Sequence, residues 1–189
     1  IKILVLFFQA IKNRRVMGLA RDVIIQRNQN IYDFKTRSDI DVEAILKLNV
    51  EGLRAALASG TVTSVDLVNI YGQRCQTIGR VLCLSAEENF EQAFELARKC
   101  DEERESARSE GTLEDLPLFH GVPISVKDLI NQKGKLSTIG CAFKCADGHR
   151  AEEDGLPVKL LLKAGAIPIV RGNCPQTALS IDTNNLIFG

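Results

Sequence analysis

The clearest pattern in the chain is the alternation of apolar and other residues in Gly121–Lys127, which reads Gly-Val-Pro-Ile-Ser-Val-Lys. A period of two residues is typical of a β-strand, because successive side chains point to opposite faces of the sheet. Gly121 and Pro123 suit the turn that enters such a strand. The pattern therefore predicts a short strand that carries Lys127 at its end.

A helix and a second strand are predicted downstream. Val158–Lys163 has helical spacing, Gly165 is suited to ending a helix, and Ala166–Val170 is a continuous apolar run. The order of strand, helix, glycine and strand predicts a crossover unit, so we expect an α/β fold.

The segments before the lysine strand give further predictions of the same kind. Apolar residues recur at helical spacings from Asp41 onwards, a compact apolar run suggests a buried strand, and a charge-rich amphipathic stretch suggests a long helix. The predicted elements are a helical stretch from Asp41 to Gly60, a helix capped by Ser64, a buried strand at Val81–Leu84, an amphipathic helix at Glu87–Glu110 ended by Gly111, and a loop at Asn131–Gly140.

The N-terminus is apolar in Ile1–Ile11 and basic in Lys12–Arg15. A membrane-spanning helix needs about 20 apolar residues, so eleven are too few to cross a bilayer. Three interpretations remain: the tail of a membrane anchor with a basic flank, a targeting segment, or a short helix packed on the protein. Residues 21–40 are polar and predict a connector. We therefore divide the chain into an N-terminal segment and connector, 1–40, and a domain at 41–189.

Charge and cysteine content exclude some classes of function. Lys and Arg number 24, as do Asp and Glu, so the balanced charge gives no electrostatic reason to expect nucleic-acid binding. The six cysteines are scattered through a chain with enough apolar residues to form a core, which indicates reduced thiols in an intracellular compartment. Cys141, Cys145 and His149 are spaced by four, but Gly140 and Gly148 favour a loop, so we expect no metal site.

Lys127 is the main candidate for chemistry. An ammonium carried into a dry pocket is destabilised as a cation, and it can then lose its proton near neutral pH and act as a base. The alternative is a surface lysine at the end of a strand.

Six segments, taken in order, resemble the motifs of the amidase signature family, and within it the fatty-acid amide hydrolase branch: Gly121–Asp128, Ser137–Gly140, Leu162–Val170, Asn173–Gln176, Ser180–Asp182 and Asn185–Gly189. The resemblance implies an α/β fold in which helices cover a large mixed sheet, of which this chain is the N-terminal portion. It also implies a serine nucleophile that is activated through a second serine, held by a cis peptide bond, and a lysine at the position of Lys127. No metal or cofactor is implied.

The resemblance suggests roles for further residues. Ser137 and Thr138 would position the lysine through their hydroxyls, although an ordinary hydroxyl-bearing turn is an equal alternative. The resemblance implies that Asn173, Gln176 and Asp182 help to shape the substrate side of the site. It also implies that Ala178, Leu179 and Ser180 line the acyl pocket.

In the family, both serines and the oxyanion hole lie downstream of a segment that matches the one ending at Gly189. We therefore expect these 189 residues alone to be inactive, with unpaired strand edges near Ile124 and Ile167. Two functions remain: hydrolysis of carboxylic amides, with fatty-acid amides as substrates, or a truncated, inactive structural or interaction module. A tRNA-dependent amidotransferase is disfavoured, because Asn173–Gln176 resembles the hydrolases.

The expected partners follow from these two functions. They are a small lipid amide, a membrane contacted through Ile1–Ile11, and a homodimer partner or another chain that covers the sheet. The expected location is intracellular, with membrane association if the N-terminal segment acts as an anchor.

Overall fold

The structure, a computed structural model, describes the backbone of residues 2–189 and the side chains of residues 8–189 other than Ala146. Its helices are α1 (Lys2–Gln29), α2 (Val42–Leu46), α3 (Val50–Ser59), α4 (Ser64–Arg74), α5 (Phe90–Glu110), α6 (Ala142–Asp147) and α7 (Leu156–Lys163). The strands are β1 (Ser85–Glu88), β2 (Pro123–Lys127) and β3 (Ile167–Gly172). A π-helical turn, Cys75–Gly79, extends α4, and short 3-10 turns occur at Leu113–Asp115 and Gln176–Ala178.

The three strands form one mixed sheet in the order β1-β3-β2. β2 runs parallel to β3, with α7 between them in the chain, and β1 pairs antiparallel to β3. Gly165 follows α7 with φ of +85°, a conformation that glycine adopts without a steric penalty. The predicted crossover unit and the α/β fold class are confirmed.

The main core lies where α4 and α5 pack against the central strand. Residues 167–171 of β3 are all buried, as expected for a strand with neighbours on both edges and helices on one face. The unpaired edge predicted for the strand of Ile167 is therefore wrong, because β1 pairs with the side of β3 away from β2. Val68 of α4 and Ala93 and Ala97 of α5 are fully buried in the same cluster as Ile167. The small alanine side chains allow α5 to approach the sheet closely, and this packing fixes the two parallel strands beneath the helices.

Helix α1 packs on the protein through its second half. Ala20 is fully buried in a cluster with Leu136 and Phe188, while Phe8 and Ile11 are 63% and 49% exposed. The helix is continuous to Gln29, so the polar connector predicted from residue 21 is helical over its first nine residues. The membrane interpretation concerned Ile1–Ile11, of which Ile1 and the side chains of residues 2–7 lie outside the described residues. No helix in the described range is both long enough and apolar enough to cross a membrane.

The predicted buried strand at Val81–Leu84 is wrong. These residues form the end of the α4 helical segment and a turn, in which Cys83 has φ of +54°. Val81 is 81% exposed and Leu82 is 60% exposed. The strand begins one residue later, and Glu87 and Glu88 belong to it, so the helix predicted from Glu87 begins at Phe90. An apolar run does not by itself show that a segment is buried, and this one lies on the surface of the described structure.

Two helix starts also differ from the prediction. The stretch 41–60 contains two helices rather than one, because the side chain of Asn49 caps a second helix, α3. Thr63, not Ser64, caps α4. Its Oγ1 accepts the backbone N–H of Asp66 at 3.0 Å, and the Asp66 carboxylate accepts the N–H of Thr63 at 2.9 Å. This reciprocal capping box leaves Ser64 free to bond elsewhere.

The segment around the cysteine pair is helical, against the prediction of a loop. Cys141 precedes the six residues of α6, and Gly148 ends the helix with φ of +66°. Cys145 is buried against α1 in the cluster of Ala20 and Phe188, whereas His149 is exposed beyond the helix. Packing of the helix on α1 therefore explains the burial of Cys145. Residues 131–140 are a loop, as predicted.

Candidate active site

Lys127 is the last residue of β2, and its register partner is Gly172, the last residue of β3. The carboxyl ends of the two parallel strands therefore lie side by side, which is where binding sites in open α/β sheets form. The Lys127 side chain is exposed. Burial raises the pKa of the nearby Cys174 thiol, and the positive charge of Lys127 acts on that pKa in the opposite direction. The lysine thus lies close to the segment that follows β3.

The residue after the lysine is a fully buried carboxylate. Asp128 is 0% exposed, and its backbone N–H donates to the carbonyl of Gly172 at 2.8 Å, which extends the strand pairing by one residue. Its carboxylate accepts the hydroxyl of Thr138, and also the Thr138 N–H at 3.3 Å. The Arg171 guanidinium, also 0% exposed, donates to the same carboxylate at 3.3 Å. These bonds fix the backbone at the point where Lys127 leaves the sheet.

Arg171 also ties the loop after β2 to the sheet. Its Nη2 donates to the carbonyl of Ile130 at 2.9 Å and to Ser137 Oγ at 3.3 Å, and its Nη1 donates to Gln132 Oε1 at 3.4 Å. Burial raises the pKa of Asp128, while the bonds from Thr138 and Arg171 work against that rise. A buried cation with this many acceptors is satisfied only while the loop keeps its shape.

The hydroxyls of Ser137 and Thr138, predicted to position the lysine, therefore bond to its neighbours and, within the described residues, not to Lys127 itself. Thr138 bonds to Asp128, and Ser137 bonds to Arg171 and, at 3.5 Å, to the carbonyl of Ile130. Neither hydroxyl has a hydrogen bond to Lys127 in the described structure. Their contribution is to hold the backbone on both sides of the lysine.

Gly140 brings this loop against the segment after β3. It has φ of +65°, and a Cβ atom at this position would lie 2.8 Å from the carbonyl oxygen of Cys174. The Thr177 N–H then donates to the carbonyl of Ile139 at 2.8 Å. The lysine, the loop through Gly140 and the residues from Cys174 onwards thus meet at one edge of the sheet.

Asn173 anchors the C-terminal segment. Its Nδ2 donates to the carbonyls of Cys83 at 2.9 Å and Gly189 at 3.0 Å, and its Oδ1 accepts from Asn185 Nδ2 at 2.7 Å. The Asn185 Oδ1 in turn accepts two backbone N–H groups, one of them from Phe188 at 2.8 Å. The predicted supporting residue Asn173 is therefore a structural link between the end of β3 and the segment ending at Gly189.

The other predicted substrate-side residues lie on an exposed turn. Thr177 and Ala178 have φ of +61° and +57°, so the chain bends sharply here. Leu179 is 86% exposed and Ile181 is 103% exposed. All the predicted residues on this turn are exposed, namely Gln176, Ala178, Leu179, Ser180 and Asp182. Their roles in substrate binding stay predictions.

Sequence reasoning missed Arg171 and Asn185. A signal for Arg171 was available, because it directly follows the buried apolar run of β3 and its strand partner, Val126, lies two residues from Asp128. An arginine at the end of a buried strand requires a buried acceptor, and an aspartate at the end of the parallel neighbour supplies one. Asn185 gave no comparable signal for its bonds to Asn173 and Cys174, which lie 12 and 11 positions away in the sequence.

One group of side chains has the composition of a metal site. In the described part of the chain, Cys100, Glu103 and His120 bring one ligand atom each to within 4.8 Å of one another. However, the Arg104 Nη2 donates to His120 Nδ1 at 3.2 Å, so the ring proton is on Nε2, which donates to Glu103 at 2.9 Å. His120 therefore has no free lone pair for a metal. The geometry favours a hydrogen-bonded chain that holds the turn into β2.

The fold and the site together define a mixed α/β protein with its candidate site at the carboxyl ends of two parallel strands. The amidase family model matches residues 66–189, so this chain belongs to the amidase family. The resemblance inferred from the six motifs is confirmed at the level of the family.

Comparison with individual proteins agrees with this assignment. The chain is 33% identical over 159 residues to Amidase 2 of Gibberella moniliformis, covering 83% of this chain and 29% of that protein. It is 30% identical over 172 residues to the vitamin D3 hydroxylase-associated protein of Gallus gallus, covering 90% and 34%. The structure of a fatty acid amide hydrolase matches with a TM-score of 0.68 at 24% identity, covering 90% of this chain and 29% of that one. The chain thus spans about a third of the length of the curated relatives it matches.

Proposed function

We propose that this chain supplies the lysine base of an amide hydrolase, with Lys127 in that role. The observation that carries the proposal is the arrangement at the end of β2, where Lys127 directly precedes Asp128, which is 0% exposed and bonded to Thr138 and Arg171. A base must be held in place to act, and a backbone fixed on one side by β2 and on the other by buried polar bonds meets that need. Family membership supports the reaction class.

In the proposed reaction, Lys127 is the base that takes the proton of a bridging serine, which takes the proton of the serine nucleophile as it attacks the amide carbonyl carbon. The protons then return along the same path to the leaving amine as the C–N bond breaks. Water repeats the sequence to release the acid and regenerate the nucleophile. Because the resemblance assigns both serines to a Gly/Ser-rich segment, we propose that polypeptide other than residues 1–189 carries them.

We further propose fatty-acid amides as the substrates. The fatty acid amide hydrolase structure and the Gallus gallus protein each match 90% of this chain. The tenth of the chain that each match leaves out contains fewer residues than the 28 of α1. Both matches therefore include part of that helix. The exposed side chains of Leu179 and Ile181 offer apolar surface in the turn proposed to face the acyl chain, together with Ala178 and Ser180.

The experiment is turnover of fluorogenic amides by the full-length product of the gene that encodes this chain. Lys127→Ala should lower the rate by about 10²–10⁴-fold, the usual loss when a general base is removed, and leave the unfolding midpoint unchanged. Lys133→Ala, which removes an exposed lysine six residues away, is the matched control and should keep wild-type activity. A Lys127→Ala enzyme with more than about a tenth of wild-type activity would show that the base lies elsewhere.

Substrate class is tested with a long-chain acyl amide and an acetyl amide of the same fluorophore. We expect faster turnover of the long-chain amide, and equal turnover would remove the fatty-acid proposal without affecting the amidase proposal. The 189-residue chain, assayed beside the full-length product, should be inactive. Turnover by that chain that depends on one of its own serines would overturn the proposed division of the catalytic residues.

We also propose membrane contact through the apolar N-terminal segment. The exposed side chains of Phe8 and Ile11 on α1, followed by the basic cluster Lys12–Arg15, support it. Deleting residues 1–11 should move the protein from a sedimented vesicle fraction to the supernatant. An unchanged distribution would favour the interpretation that the segment packs on the protein.

A second candidate function is that of an inactive interaction module, and one observation favours it. The segments 81–84 and 186–189 lie together, because Asn173 Nδ2 bonds to both Cys83 and Gly189, and they expose apolar side chains. Val81 is 81% exposed and Leu186 is 70% exposed. Apolar surface of this kind associates with other polypeptide. Light scattering of the 189-residue chain should give the mass of a dimer or larger species, and a stable monomer would contradict association.

A further inference from the structure

A cavity that is separate from the candidate site at the end of β2 lies between the C-terminal half of α1, strand β1 and the first turn of α5. Its volume is about 580 Å³, within the range of about 300–1,000 Å³ typical of small-molecule sites. Most of the lining side chains are polar. Neither the motifs that resemble the amidase family nor the proposed reaction uses it.

Asn89 is the feature of this cavity that requires explanation. It lines the cavity and is 3% exposed, yet both its Oδ1 and its Nδ2 are buried without a hydrogen-bond partner. It occupies the N-cap position of α5, where an asparagine ordinarily accepts a backbone N–H, but it makes no capping bond here. A buried amide without partners destabilises the folded chain. Such a residue calls for an explanation, and a bound molecule that completes its hydrogen bonds is one.

The same end of α5 offers further donors. The first backbone N–H groups of a helix have no acceptor within the helix, and the helix dipole adds partial positive charge there. α5 is 21 residues long, and no side chain caps it. The N–H groups of residues 90–92 therefore lie at the cavity beside Asn89.

Lys135 adds a cation to the lining of the cavity. It is half-buried, and burial is the largest influence on its pKa, which is lowered. Within the described part of the chain, its ammonium makes no hydrogen bond or ion pair. The other basic groups of the lining are engaged: Arg150 bonds to Glu87 at 2.9 Å, and Arg27 bonds to the carbonyl of Ser85.

The acidic groups of the lining limit the charge that the cavity accepts. Glu87 accepts from Arg150 and from the N–H of Leu136 at 2.8 Å, and Glu88 pairs with Arg80 at 2.6 Å. Glu91 is exposed. These carboxylates would repel a dianion such as phosphate. The unpaired groups that could hold an anion are one ammonium, one carboxamide and one helix N-terminus, and with three glutamates in the same lining they favour a single negative charge.

We propose that this cavity binds a small monocarboxylate, held by Asn89, Lys135 and the first turn of α5. One carboxylate oxygen accepts from the Lys135 ammonium, and the other accepts from Asn89 Nδ2 and the α5 N–H groups. Asn89 Oδ1 then accepts from a hydroxyl next to the carboxylate, so a 2-hydroxy acid gives partners to Asn89, Lys135 and the first turn of α5 together. The site is independent of the amidase proposal, because it uses none of the residues at the end of β2.

Glycolate is the probe, and glycolamide is its neutral counterpart of the same shape. Titration of the ¹⁵N-labelled chain with glycolate should give saturable shifts of the Asn89 side-chain amide and of the backbone amides of residues 90–92. Glycolamide should produce at least about tenfold weaker binding, because it lacks the charge that pairs with Lys135. Equal responses to the two would overturn the assignment of a carboxylate, and the absence of any saturable response would overturn the site.

Three variants complete the test. Lys135→Met keeps the aliphatic stem and should weaken glycolate binding at least about tenfold. Lys133→Met, an exposed lysine outside the cavity, should leave it unchanged. Asn89→Leu should raise the melting temperature of the ligand-free chain, because it removes an unsatisfied amide, and should abolish the further rise that glycolate gives to the wild type. Unchanged glycolate affinity in Lys135→Met would contradict the proposal, whatever the effect of the Asn89 variant on folding.

Discussion

Replacing Asp128 with asparagine should destabilise the chain by about 3 kcal/mol, the lower end of the range for breaking a buried ion pair. Asparagine keeps an oxygen that can accept from Thr138 and Arg171, but it loses the negative charge. Arg171 would then remain as a cation in a site where both residues are 0% exposed. We expect the lower end of that energy range because the carbonyl of Ile130 still accepts a hydrogen bond from the Arg171 guanidinium at 2.9 Å.

This cost does not require the ion pair to stabilise the fold. Burial raises the pKa of Asp128. The free-energy cost of removing the ionised carboxylate from water is therefore larger than the stabilisation that it receives from Thr138 and Arg171. The destabilisation comes from leaving Arg171 without its counter-ion. Removing both charges in Asp128→Asn/Arg171→Met should therefore be less damaging than Asp128→Asn alone, with a coupling energy above about 1 kcal/mol.

The assay is urea unfolding of the 189-residue chain at pH 7, with equal slopes required for each variant. Glu105→Gln is the matched control, because Glu105 pairs with Arg108 at 2.6 Å but its side chain is 72% exposed. That control should change stability by less than about 1 kcal/mol. If Asp128→Asn fell within the same limit, or if the double variant were the least stable of the set, the buried charge pair would not be what holds this loop.

Three further effects on stability follow from local geometry. Gly140→Ala should cost at least about 1–3 kcal/mol, because it forces a Cβ to within 2.8 Å of the Cys174 carbonyl at φ of +65°. Thr63→Ala should cost about 1 kcal/mol through loss of the capping box on α4. The hydrogen bond from His120 lowers the pKa of Glu103, so its contribution to stability is present above the ordinary glutamate pKa and is lost as pH falls through the lowered value. Glu103→Gln should therefore reduce the loss of unfolding free energy as the pH is lowered.

These three effects are measured by thermal unfolding and by stability at acidic pH. Thermal unfolding decides the first two, with Gly134→Ala as the control for Gly140→Ala, since Gly134 also has positive φ but a Cβ added there would meet no atom within 4 Å. Equal losses in the two glycine variants would show that backbone strain, not the contact with Cys174, sets the cost. Stability measured across acidic pH decides the third, and parallel curves for wild type and Glu103→Gln would contradict the role of His120.

The parts of the fold that were predictable are those fixed by residues close together in sequence. The alternation in 121–127 gave β2 and the position of Lys127 at its end, and Gly165 gave the end of α7. The helix α5 was predictable from its amphipathic spacing and from Gly111, which has φ of +73°. Each signal acts within a few residues, where periodicity and backbone preference decide the structure.

The rest depended on contacts between remote segments. The apolar run Val81–Leu84 has the composition of a buried strand, and only the three-dimensional arrangement reveals that it lies on an exposed surface beside the segment ending at Gly189. The same holds within the candidate site. Lys127 was identified from its motif, whereas the pairing of Asp128 with Arg171 joins residues 43 positions apart and required the register of β2 on β3.

Helix α1, at the start of the described chain, packs against the segment at its end. It is one unbroken helix of 28 residues, about 42 Å long at 1.5 Å per residue. Its second half is clamped at Ala20 against Phe188, a neighbour of the Asn173–Asn185 bonds at the end of β3. A helix held in this way behaves as a lever, so that a rotation of about 10° at the clamp moves the first turn by several ångströms. A contact made by the first turns of α1 therefore acts over a long arm on the packing of Ala20 against Phe188.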